Sequence, residues 1–117
     1  IYNANLHDTD DKQFSAFFDN MLIKGRSDGS IEYQQLIDMI FAKDEVAKFI
    51  VRKLYRFFVY YVIDEEIEEK VIVPLADTFR NSGYEIAPVL SQLFQSAHFF
   101  DPYTKGAIIK NPIDFLF

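Results

Sequence analysis

One run of helical periodicity constrains this chain more than any other feature. Over residues 44–61, DEVAKFIVRKLYRFFVYY, apolar side chains recur at Val46, Ile50, Leu54, Phe57, Phe58 and Tyr61, the i, i+3, i+4 spacing of one helix face. Lys48, Arg52 and Arg56 repeat every four residues on another face, with Lys53 beside them. Asp44 stands where an N-cap belongs. The β-branched and aromatic tail over 57–63 reads as strand by composition, but the period and the cap favour helix. The expectation is a helix with a core stripe and a separate basic face.

Three further stretches carry the same period. Ser30 caps a helix to about Ala42, with Tyr33, Leu36, Ile37, Ile40 and Phe41 as its stripe. Asp64 caps the next, and Glu65, Glu66, Glu68 and Glu69 fill its first turns, where the macrodipole favours acids. Pro74 lies inside that segment. Its ring clashes with the carbonyl of Lys70, so the helix must kink or split near Ile72. It resumes to about Asn81 and ends at Ser82-Gly83. The last stretch covers about 85–97, with Ile86, Val89, Leu90, Leu93, Phe94 and Ala97 as its stripe and Pro88 in its first turn.

The ends read differently. Residues 1–29 are polar and punctuated, with turns at Asp8-Thr9-Asp10-Asp11 and Arg26-Ser27-Asp28-Gly29. Between them residues 14–23 read as two short strands turning at Asp19-Asn20, with a short helix from Lys12 as the rival. Asn111-Pro112 reads as an N-cap and a first-turn proline, so a helix begins where the sequence stops. The chain is therefore expected to be a fragment of a longer protein. The expected fold is mainly α: a small array of about four amphipathic helices with an irregular or short-hairpin N-terminal segment. Residues 1–29 form that segment, and residues 30–117 one helical domain truncated at its last helix.

Composition bounds the function classes. Half of the 117 residues are hydrophobic and 17% are aromatic, which argues against disorder and for a real core. The net charge of -6 and a pI near 4.8 disfavour nucleic acid, whose partners carry a basic footprint. There is no cysteine, hence no disulfide framework, zinc–thiolate site or cysteine nucleophile. No apolar run of about 18 residues is present, so no membrane-spanning helix is expected.

Three blocks, in order, resemble one family. They are Phe49-Ile50-Val51-Arg52-Lys53-Leu54-Tyr55-Arg56-Phe57-Phe58; then Pro74-Leu75-Ala76, Phe79-Arg80-Asn81-Ser82-Gly83 and Tyr84-Glu85-Ile86-Ala87-Pro88-Val89-Leu90; then Ser96-Ala97-His98-Phe99-Phe100-Asp101 with Lys105-Gly106-Ala107-Ile108-Ile109-Lys110-Asn111-Pro112-Ile113-Asp114-Phe115. This order resembles the C-terminal part of the bacterial domain of unknown function 1800 family, in wording most like its Bacteroidetes branch. His7-Asp8 followed by Lys12 is similar to the family's short upstream segment. It departs in the interval, where Thr9-Asp10-Asp11 stands and a glycine is usual. The resemblance covers most of the chain. It implies a mostly helical protein of several hundred residues, often exported, with genes often beside those of sulfatase-like exported proteins. It supplies no catalytic residue to carry over.

Candidate chemistry is sparse. His7-Asp8 offers two metal ligands or a base with its orienting carboxylate, against the plainer reading of a polar turn. Asp8, Asp10 and Asp11 fail as a calcium loop, because Lys12 and Gln13 occupy the fifth and sixth positions. The basic face of Lys48, Arg52, Lys53 and Arg56 is read as solvated, as paired with the acidic run over 64–69, or as a dock for another domain or an anionic glycan. Tyr55, Tyr60, Tyr61 and Tyr84 suit half-buried packing, and a sugar-stacking platform is the sharper alternative. His98 is placed at a helix end, where it would cap carbonyls or meet the negative end of the dipole.

The sequence thus assigns no catalytic, cofactor-binding or metal-binding residue. His7, Asp8, Arg52 and Arg56 are the candidates for ligand or partner contact. The expected function is a helical structural or interaction module of an exported bacterial protein. The alternative is a part of an enzyme acting on cell-surface or polymeric substrates, its site completed by other regions. Expected partners are other domains of its own full-length chain, an exported protein or a glycan.

Overall fold

The computed structural model describes residues 3–25, 29 and 31–107. The expected cap at Ser30, the turn over 26–28 and the helix opening at Asn111 lie outside the described residues. The chain forms two compact units, Ile1–Val46 and Ala47–Phe117.

In the first unit a 3-10 turn, Ala4–Leu6, is capped by the Asn3 side chain, which accepts from the Asn5 amide. Strands β1 (Lys12–Gln13) and β2 (Leu22–Ile23) pair antiparallel, Lys12 opposite Ile23 and Gln13 opposite Leu22. The expected turn at Asp19-Asn20 is present, with both residues at positive φ, 56° and 53°. Asp and Asn tolerate that region because their short polar side chains offset part of its steric cost. The expected first strand after Phe14 is corrected: a 3-10 turn, Ala16–Phe18, occupies that stretch, and the strand lies earlier, at Lys12–Gln13, where the rival helix would have begun. Gly25 is required by packing: a Cβ there would lie 1.9 Å from the carbonyl oxygen of Thr9.

Helix α1 runs Glu32–Phe41 and packs on β2. Its inward face is not the expected stripe. Glu32 and Met39 are buried and Leu36 and Phe41 half-buried, while Tyr33, Ile37 and Ile40 are exposed. The helix is turned this way because Glu32 is held inside by polar partners described below. Met39, seven residues on, falls on the same side.

In the second unit α2 (Asp44–Phe58) supplies the central wall. Its core row is Ala47, Val51, Tyr55 and, just past the helix end, Val59. The expected stripe is thus off by one residue, about 100° around the axis. Ile50, Leu54 and Phe58 flank the core, but Phe57 is 72% exposed and Tyr61 is exposed. The core side carries alanine at position 47, so side-chain size alone misplaces the face. The helix also stops at Phe58, three residues short of expectation.

Asp64 caps the next helix as expected, its Oδ1 accepting from the Ile67 amide at 2.8 Å. Helix α3 (Glu65–Ile67) passes into a π turn, Glu68–Ile72, and then into α4, Val73–Asn81. The widened turn sits just before Pro74. The Val73 amide bonds the Glu68 carbonyl five residues back, where an α-helix would use Glu69. This is the split that a proline inside a helix demands.

Helix α4 ends in a Schellman motif. Tyr84 N–H donates to Phe79 O and Gly83 N–H to Arg80 O, with Gly83 at φ 72°. Tyr84 then packs edge-on against Phe79, ring centroids 5.2 Å apart. Helix α5 (Ile86–Gln95) packs onto α4 across this turn and buries Val89 and Leu93. Ile72, Leu75, Ala76 and Phe79 complete the core from the kinked helix.

Candidate functional site

The polar groups of the first unit converge on one buried acid. Glu32 is 7% exposed, and its two carboxylate oxygens face His7 Nε2 at 3.1 Å and Lys12 Nζ at 3.0 Å. Burying a carboxylate is costly unless it is paired, so this cluster fixes where α1 sits against the hairpin. Lys12 Nζ also donates to the carbonyl of Asp8. Asp8 Oδ1 accepts from the Asp10 amide at 2.9 Å. Asp11 accepts from Lys24 Nζ and the Gly25 amide, both at 2.9 Å, and the Lys24 bond holds its carboxyl below the usual range. The three aspartates therefore shape turns. Among the described residues no group of three His, Asp or Glu side chains is arranged to hold a metal ion.

In the second unit the basic face of α2 meets the acidic helix, one of the readings left open by the sequence. Arg52 grips Glu68 with two bonds, Nε to Oε2 at 2.8 Å and an Nη to Oε1 at 2.6 Å. That fork holds the Glu68 carboxyl below its ordinary pKa, with burial opposing. Lys48 and Arg56 add charge at Glu68 from further away.

The same helix carries Tyr55 into the core, where its hydroxyl is 2.7 Å from His98 Nε2. The two rings stack 5.6 Å apart at 19°. His98 lies in the 3-10 turn Ala97–Phe100, which Ser96 caps by accepting from the Phe99 amide. His98 stands just past the end of α5, but its Nε2 meets a side chain 43 residues away, the Tyr55 hydroxyl, rather than a helix carbonyl. Burial, and then the charge of Asp64, pushes the Tyr55 pKa up to about 12, so its hydroxyl keeps its proton at neutral pH.

A cleft of about 410 Å³ opens over this pair. Its walls include Tyr60, Asp64, Glu66 and Lys70 from the approach to α3 and the π turn, and Asp101, Tyr103 and Thr104 from the far side. Pro102–Thr104 is a 3-10 turn whose N-cap, Asp101, accepts from the Tyr103 amide. Tyr103 is 91% exposed. Among the described residues no buried side-chain nitrogen or oxygen lacks a partner.

Of the four residues proposed for contact, His7 and Asp8 thus belong to the first unit and Arg52 and Arg56 to the second. His7 is engaged by Glu32 and Arg52 by Glu68, while Arg56 is exposed. Sequence reasoning missed Glu32, because nothing local marks one acid of a helix start as buried. It also missed the Tyr55–His98 pair, although Tyr55 stands in the i, i+4 row with Ala47 and Val51. That row of mixed size was the available signal.

A family model described as Protein of unknown function (DUF1800) matches residues 1–117, the whole chain. No curated protein and no solved structure matches.

Proposed function

The chain belongs to the family described as Protein of unknown function (DUF1800), and from that premise we propose that it works as a helical interaction module of an exported bacterial protein. The observation that carries this reading is the set of large side chains standing at the surface of residues 47–117. Phe49 and Phe57 lie about two turns apart on the outward side of α2, and Tyr61, Phe100 and Tyr103 are exposed as well. Single exposed apolar residues are ordinary, but several large rings left at the surface of one unit suit a contact surface. Arg52 pairs with Glu68 and Lys70 with Glu66, while Lys53 lies over the Phe49 ring at 5.0 Å. Export rests on the family resemblance. The partner is another domain of the full-length chain, an exported protein or a glycan.

Arrays of glycans and peptides, run beside panels of phosphoesters and glycosides, test this reading. The expected result is saturable binding without turnover, weakened about tenfold by Phe57→Ser combined with Phe100→Ser, since exposed anchors dominate such contacts. Turnover by the chain with no added segment overturns the reading. Absence of binding on both arrays overturns it too.

A further inference from the structure

The cleft over Tyr55 and His98 has a charge pattern that its neighbours do not neutralise. Lys70 Nζ donates to Glu66 Oε1 at 2.6 Å, so these two lining residues cancel. That leaves two carboxylates on the walls, Asp64 and Asp101. Each already accepts one backbone N–H, from Ile67 and Tyr103, and a carboxylate has acceptor capacity to spare. The Nε2 of His98 is occupied by the Tyr55 hydroxyl. The remaining polar lining residues are Thr104, whose hydroxyl is bonded to the carbonyls of Phe99 and Asp101, and Tyr60 and Tyr103, whose ring faces carry negative potential. Acids and tyrosine rings around one concavity select for positive charge, and a volume of about 410 Å³ admits a small organic group.

Resting on the interaction-module reading, we propose that this cleft binds an organic cation, a primary ammonium or guanidinium group, between the Asp64 and Asp101 carboxylates and the rings of Tyr60 and Tyr103. The group arrives either on a small diamine or on a lysine or arginine side chain. A neutral sugar would use the carboxylates only as hydroxyl acceptors, whereas a cation adds charge-assisted bonds to both. The pair beneath is a rigid floor: Tyr55 is fully buried and locked to His98, so the site is largely formed before the ligand enters.

Titration of the protein with 1,5-diaminopentane and with an acetylated, amidated Ala-Lys-Ala peptide tests this, followed by calorimetry and by shifts of the Tyr103 and His98 resonances. Controls are the same peptide with norleucine in place of lysine, and a neutral disaccharide. We expect at least one cation to bind about tenfold more tightly than the norleucine peptide, as a cation–π contact with a charge pair allows. Asp64→Asn and Asp101→Asn keep the capping oxygen and remove the charge, and each should weaken binding about tenfold. Tyr103→Ala should weaken it severalfold, and Glu85→Gln, an exposed acid outside the cleft, should leave it unchanged. Binding of diaminopentane without the peptide identifies a small-molecule source, and the reverse a polypeptide. Equal affinity for the norleucine peptide or the disaccharide overturns the proposal, as does cation binding that survives Asp64→Asn and Asp101→Asn. If array binding persists while the cations fail, only the cation assignment falls. If array binding is absent, the interaction reading itself falls.

Discussion

Among the described residues, the N-terminal unit buries the apolar side chains of Ile23 and Met39 together with one carboxylate, Glu32, whereas the unit over 47–117 buries a continuous cluster reaching from Ala47 to Leu93. Fully burying two such side chains contributes on the order of 3–6 kcal/mol, little against the entropy of ordering a chain of that length. The first unit must therefore draw its order from directional contacts: the His7–Glu32–Lys12 set, the Asp11 bonds to Lys24 and Gly25, and the left-handed turn at Asp19-Asn20. The second draws it from packing, and its polar pairs sit at the margin. Apolar packing is non-directional and additive in area, while a buried ion set fails as a whole when one member is removed. The two units should consequently respond to different perturbations.

The largest effect should come from opening the apolar core. Phe79 is 3% exposed and packs on Tyr84 at the end of α4. Phe79→Ala should cost about 3–5 kcal/mol through lost burial and a residual cavity. Amide hydrogen exchange is the measurement. Protection along α4 and α5 should fall by that amount, while the amide of Phe14, bonded to Met21 O in the hairpin, keeps its rate. Equal losses in both places would erase the comparison.

The converse perturbation is Glu32→Gln. It keeps the shape and removes the charge that two cationic or donor groups share. The loss should be about 2–3 kcal/mol, below the figure for a fully buried pair because Lys12 is partly exposed. It should show as faster proteolysis within residues 12–23 and faster exchange there, with α4 and α5 unmoved. Adding salt should weaken the wild-type hairpin more than it weakens the variant. A variant that stays closed would show that the hairpin is held by its two buried apolar residues after all.

These two residues also mark how far the sequence could be read. The helices were legible because period, cap and breaker agree: Asp64 bonds the Ile67 amide, Pro74 forces a π turn, and Gly83 takes the left-handed cap. The hairpin turn was legible because Asp19-Asn20 tolerates positive φ. The orientation of α1 and α2 was not, since each has a second apolar side. On α1 the burial of Glu32 overrides the larger residues Tyr33, Ile37 and Ile40. On α2 Ala47 and Tyr55 mark the core while Phe57 faces water. The cleft was not legible either. Its walls come from segments around Tyr60, Lys70 and Tyr103, which no spacing rule connects.

The smallest effect at neutral pH, and the most diagnostic of the second unit, is expected for Tyr55→Phe. Removing the hydroxyl leaves His98 Nε2 without the bond it makes at 2.7 Å, which should cost about 1 kcal/mol at pH 7. The pH dependence then runs the other way. Tyr55 has a folded pKa near 12, above its ordinary 10.0, so the folded state holds this proton longer than the unfolded chain does. Its stabilising contribution is complete below pH 10 and is lost as pH rises through 12, a change of about 3 kcal/mol for a shift of that size. Phenylalanine has no proton to lose. Urea midpoints measured at pH 7, 10 and 12 should therefore show the variant less stable at first and more stable by about 1 kcal/mol at pH 12, where the loss is still incomplete. The other tyrosines titrate in both proteins, so the difference isolates position 55. A constant difference between Tyr55→Phe and wild type from pH 7 to 12 would mean that this hydroxyl is open to solvent, and with it the floor of the cleft.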